Sequence, residues 1–121
     1  MKANYPGEII HLTYITTNTV KEGRVAILIA VDNFSQFCFG VAIEQEMQKE
    51  AVEKHLSAIM KDIHKNHPKR KPLFIMAYGK EWMHSFERQY RGKASFQFDP
   101  VLADAIAMPV AKLLLQNLFN K

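Results

Sequence analysis

Three side chains of this 121-residue sequence could act as acid, base or ligand at one centre: His11, Asp32 and Glu81. His11 interrupts an apolar stretch, Ile9 to Ile15, where it would serve either as a general base or metal ligand or as a strand residue with a backbone partner. One histidine without a nearby carboxylate rarely holds a metal, so the strand role is expected. Asp32 closes the run Val25 to Val31 and is followed by Asn33 and Ser35. It can approach the same centre as His11, but the expectation is that it stabilises the turn. Glu81 is equally suited to an acid at that centre or to the first turn of a helix, where the dipole favours it. His64-x-x-His67 has the spacing of a zinc pair, but two ligands are too few, and both residues fit a helix end. Cys38, between Phe37 and Phe39, is expected to be a small buried residue, with no adjacent basic group to make a thiolate.

Two basic clusters could meet phosphate. Lys65, Lys69, Arg70 and Lys71 fall within the eight residues His64 to Lys71, and Arg88, Arg91 and Lys93 form a second group. Each reads either as a nucleic-acid contact or as a solvated helix end and loop. DNA binding gains weight if the two groups share a face. The net charge of +4 suits a polyanionic partner without demanding one. The segment Leu113 to Phe119 is apolar nearly all round, more than one core-facing stripe needs. It is expected to self-associate, giving a homodimer through helices; the alternative is a helix sunk deeply in its own domain.

The length fits one domain spanning 1–121. A single cysteine excludes an internal disulfide and a cysteine-based zinc site. No apolar run approaches 18 residues and the first eight residues lack a hydrophobic stretch, so the expectation is a cytoplasmic protein without membrane contact.

Strands are predicted over 9–17, 24–32 and 36–43, joined by Asn18 to Gly23 and by a tight turn at Asn33 to Ser35. The second is apolar throughout, as expected of a strand covered on both faces. Apolar residues then recur at helical spacing from Met47 to His64, with Asn66-His67-Pro68 as the stop. A short strand, Leu73 to Ala77, is broken by Gly79. Residues 80–90 read as a second helix and 94–98 as a fifth strand. Asp99 caps a last helix with Pro100 in its first turn, and Pro109 predicts a kink or two short helices. The order β-β-β-α-β-α-β-α, with a crossover after the meander, predicts a five-stranded mixed sheet flanked by helices.

Three segments sharpen this. His11-Leu12-Thr13-Tyr14-Ile15, Asp32-Asn33-Phe34-Ser35 with Gly40-Val41, and Ala77-Tyr78-Gly79-Lys80-Glu81-Trp82 resemble the strand motifs of retroviral-type integrase and DDE transposase catalytic cores. The resemblance covers roughly residues 8–90 and implies a ribonuclease H-like fold. That family uses two Asp and one Glu to hold two divalent cations for DNA strand transfer. Here His11 stands where the resemblance puts the first Asp and Ala77 where it puts the second. The stretch Asp104 to Lys112, which would supply the third ligand, has no Glu. The resemblance therefore implies a degenerate site: a catalytically inactive core, without metal or cofactor, retaining nucleic-acid binding or protein interaction. Two alternatives stay open. One is an active Mg2+- or Mn2+-dependent nuclease or strand-transfer enzyme with a displaced site on His11, Asp32 and Glu81. The other is a purely dimerising module.

Overall fold

The computed structural model describes residues 2–119, with Leu118 and Phe119 described by their backbone alone. Strand β1 (Ile9–Thr19) runs antiparallel to β2 (Gly23–Asp32), and β2 antiparallel to β3 (Cys38–Glu44). Helix α1 (Lys49–Asn66) crosses to β4 (Leu73–Met76), which lies parallel to β1. A single 3-10 turn (Lys80–Trp82) and α2 (Met83–Gln89) lead to β5 (Ser95–Phe98), parallel to β4, and α3 (Pro100–Phe119) ends the described chain. The sheet is five-stranded and mixed, in the order β3-β2-β1-β4-β5.

Two layers of helix explain the continuous apolar run of β2. Alternate residues of a strand face opposite sides. Ala26, Leu28 and Ala30 pack with Val52, Leu56 and Ile59 of α1. Val25, Ile27, Ile29 and Val31 pack against Ala107 and Ala111 of α3. The alanines at 103, 107 and 111 of α3 are all fully buried, and their small side chains let that helix lie close to the sheet. Asp99 caps α3 by accepting the Leu102 N–H at 3.0 Å.

Five sequence expectations are corrected. The first hairpin loop is Val20 to Glu22, because the ladder reaches Thr19 opposite Gly23. Gly23, at φ +69°, supplies the left-handed residue that a three-residue loop requires. The third strand starts at Cys38, not residue 36. Gln36 has φ +56° and donates its N–H to the Asp32 carbonyl at 2.7 Å, so residues 33–37 form a loop with Phe34 and Phe37 exposed. The ladder slips between Ala30 and Val31, opposite Phe39, and this bulge leaves Cys38 half-buried on the α3 side, not fully enclosed. The helix read over 80–90 divides at Trp82, and α3 stays a single helix through Pro109. Both Pro109 and Ala105, whose carbonyl loses its partner, are exposed, so water can satisfy the freed group.

Leu113 is exposed and Leu114 and Leu115 half-buried, while the side chains of Leu118 and Phe119 lie outside the described residues. Among the described residues no helix is long and apolar enough to cross a membrane.

Candidate functional site

His11 sits mid-sheet, opposite Val31 of β2 and Ile75 of β4, with its ring under α3 and fully buried. Its Nδ1 lies 3.0 Å from the Leu102 carbonyl oxygen, which can only accept, so Nδ1 carries the proton. Its Nε2 then accepts from the Asn33 side-chain amide at 2.8 Å. Both ring nitrogens are used, and the arrangement selects the neutral imidazole. Burial pushes the His11 pKa down, against the opposing pull of the Leu102 and Ala103 carbonyls.

Asn33 is the hinge of this network. Its side-chain oxygen accepts the Ala3 N–H at 2.8 Å and its own N–H goes to the Ile9 carbonyl at 2.9 Å. Asp32 starts from the opposite face of β2. One carboxylate oxygen accepts the Gly7 N–H at 2.9 Å; the other accepts the Ser35 N–H at 3.1 Å and the Ser35 hydroxyl at 2.7 Å. Asp32 thus stabilises the turn that follows it, and also holds the N-terminal arm. Arg70 holds that arm from the other side: its guanidinium stacks 4.2 Å from the Tyr5 ring centre and donates to the Pro6 carbonyl at 3.1 Å.

Ala77 follows β4 directly, donating its N–H to the Leu12 carbonyl at 2.9 Å, and presents only a methyl group. Asp104 lies on α3 near the same face but accepts the Thr13 hydroxyl at 2.7 Å. Glu81 is exposed in the 3-10 turn. Among the described residues no three His, Cys, Asp or Glu side chains converge as a metal-ligand set. The structure therefore does not assemble His11, Asp32 and Glu81 into one. Magnesium and manganese require several hard oxygen donors, and a doubly hydrogen-bonded imidazole beside a methyl group does not fit them. His64 and His67 both serve the end of α1. His64 Nε2 donates to the Arg70 carbonyl at 2.7 Å, and the His67 N–H closes α1 on the Ile63 carbonyl at 3.0 Å.

Of the two basic clusters, only Lys93 lines a groove with basic residues of α1. A groove of about 210 Å³ between α1 and the end of α2 is lined by Lys61, His64, Tyr90 and Lys93. The Tyr90 hydroxyl joins its walls, donating to the Glu53 carbonyl at 3.2 Å and accepting from Ser57 at 3.0 Å. Lys93 of the second cluster thus faces the end of α1. Lys61 belongs to neither expected cluster. Its position three residues before His64, on the same helical face, was the available signal. Lys65, Lys69, Lys71, Arg88 and Arg91 are exposed, whereas Arg70 is committed to the N-terminal arm.

A second buried histidine lies on α1. His55 is 5% exposed, faces Gly40 of β3, and among the described residues neither ring nitrogen has a hydrogen-bond partner. Burial pushes its pKa down, opposed by the Gly40 carbonyl and Glu44. Both histidines resist protonation when folded and accept it near pH 6.5 when unfolded. Stability is therefore complete above that value and falls as pH drops below it, by up to about 1.4 kcal/mol per pH unit for each histidine. Urea midpoints should be level from pH 8 to 7 and decline from pH 6.5 towards 5, and replacing His55 by leucine should halve the decline. A midpoint that rises on acidification contradicts the assignment of both rings as neutral.

No family model matches this sequence, and no curated protein matches it.

Proposed function

We propose that this chain is a ribonuclease H-like domain, similar to integrase and transposase cores, that does no strand-transfer chemistry and binds nucleic-acid backbone through its basic groove. One observation carries the non-catalytic part: at the strand position where the resemblance puts the first carboxylate, His11 has both nitrogens engaged under α3. The methyl of Ala77 at the second position and the engagement of Asp104 with Thr13 support it. An antiparallel meander followed by two parallel strands is compatible with the fold that the resemblance implies. Lys61 and Lys93 facing one groove, with Lys65, Lys69, Arg88 and Arg91 exposed, support phosphate contact.

The test is fluorescence anisotropy with a labelled DNA duplex across a salt series. Affinity should fall linearly with log salt, and a Lys61→Glu/Lys93→Glu variant of unchanged circular dichroism should bind at least tenfold more weakly. Calorimetric titration with magnesium or manganese should show no heat of binding. A flat salt dependence sinks the nucleic-acid reading, and metal-dependent nicking of the duplex sinks the non-catalytic one. A second reading, a domain that works by self-association through α3, is favoured by the exposure of Val101 and Leu113. Sedimentation of a monomer at high concentration would exclude it.

A further inference from the structure

Strand β3 ends the sheet order, so among the described residues one flank of its backbone has no strand beside it. Natural edge strands are commonly protected by lysine, proline or a covering element. The sequence of β3, Cys-Phe-Gly-Val-Ala-Ile-Glu, has neither residue, and its bulge at Phe39 leaves Gly40 to Glu44 in regular register with β2. On the α3 side of the sheet, Val41 and Ile43 stand opposite Ile29 and Ile27 but remain 42% and 56% exposed. On the other side a groove of about 290 Å³ runs between β3 and α1, floored by Ala51 and Ala58 and lined by Lys54 and His55, with Glu44 at the end nearer Glu22 and Glu46. His55 is the telling residue. It is more than nine-tenths buried, lines this groove, and holds one donor and one acceptor without a partner among the described residues. A buried polar group in that state is unfavourable by about 1–3 kcal/mol unless something satisfies it.

The charge at one end of the groove indicates what would lie there. Glu44 lines it and also lines an adjoining groove of about 420 Å³ that includes Glu22 and Glu46. The basic residues of the groove already described lie towards the opposite end of α1.

From these observations we infer that the β3 edge is a docking site for an extended segment of a partner protein, added as a sixth strand. That segment would alternate apolar and small polar side chains and carry lysine or arginine at the end that reaches Glu22, Glu44 and Glu46. Backbone pairing with β3 would supply affinity, and Val41 and Ile43 on one face and the alanine-floored groove on the other would read alternate side chains. The docking site is independent of the nucleic-acid reading, because the two surfaces share no residue.

The probe is a synthetic peptide that alternates valine and threonine over six residues and ends in two arginines, titrated into the 15N-labelled chain. Expected are amide shift changes confined to residues 22, 38–48 and 51–58, movement of the His55 ring signals, and slowed amide exchange in β3. A Val41→Lys variant, altered at an exposed side chain, should bind at least tenfold more weakly with an unchanged fold. A Glu44→Lys/Glu46→Lys variant should lose the preference for the arginine-ended peptide over a glutamate-ended one. Shifts elsewhere, or none at millimolar peptide, overturn the site. Equal binding of both peptides by the unaltered chain overturns the charge assignment. Sedimentation of a peptide-free dimer that Val41→Lys abolishes would assign the edge to a second copy of this chain and overturn the partner proposed.

Discussion

Asp32→Ala should remove about 2–3 kcal/mol of folding stability, because it strips the acceptor from one buried and two part-buried hydrogen bonds. The carboxylate is 1% exposed and accepts three hydrogen bonds, two of them from backbone N–H groups. Truncation leaves the Gly7 N–H buried without an acceptor, a loss of about 1–3 kcal/mol, whereas the Ser35 donors, on an exposed residue, can turn to water. It also frees both the loop 33–37 and the N-terminal arm, so the effect exceeds that of an ordinary turn residue. Small domains have about 5–15 kcal/mol in all, so the loss is a substantial share of the total. Urea denaturation followed by circular dichroism measures the loss. Asp32→Asn, which keeps an acceptor oxygen, should lose less than half as much. A loss under about 1 kcal/mol for the alanine variant would mean that water replaces the carboxylate and that the three bonds do not hold the arm.

Asn33→Leu should lower stability by about 2–4 kcal/mol, because it orphans His11 Nε2 and the Ala3 N–H together. The informative measurement is the pair. In His11→Leu/Asn33→Leu the imidazole that lost its partner is gone, and the freed Leu102 carbonyl lies within α3, where helical bonding is available to it. The double variant should therefore be at least about 1 kcal/mol more stable than the two single losses added together. Strict additivity would show that the two side chains are not coupled, contrary to the 2.8 Å bond between them.

Much of the architecture was legible because it rests on local pattern. The unbroken run Val25 to Val31 marks a strand covered on both faces, and Asp99-Pro100 marks the start of α3. The site was less legible, for a physical reason. His11 finds its partners 22 and 91 residues away, and Asn33 reaches Ala3 across 30. No spacing rule reports bonds between segments that meet only in the folded sheet. Asn33 looked like a turn residue since asparagine favours turns, and its side chain was turned inwards by the strand pairing instead. His55 could have been found: it follows Val52 by three on the buried face of α1, a position where a polar residue requires explanation. Alternation failed at Phe37 to Phe39 because a bulge adds a residue that period-two counting cannot anticipate. Pro109 does not split α3 into two helices, and the Ala105 carbonyl that it leaves without a partner is exposed to water.

The N-terminal arm also sets how the molecule would bear load. Strand β1 is central, paired to β2 on one side and β4 on the other. A pull on the chain ahead of Ile9 meets the arm before it meets that strand. The Ala3–Asn33 and Gly7–Asp32 bonds and the Arg70–Tyr5 stack would carry tension first. They would release in succession, as a clasp does, while the ladders of β1 are loaded in shear only once the clasp has opened.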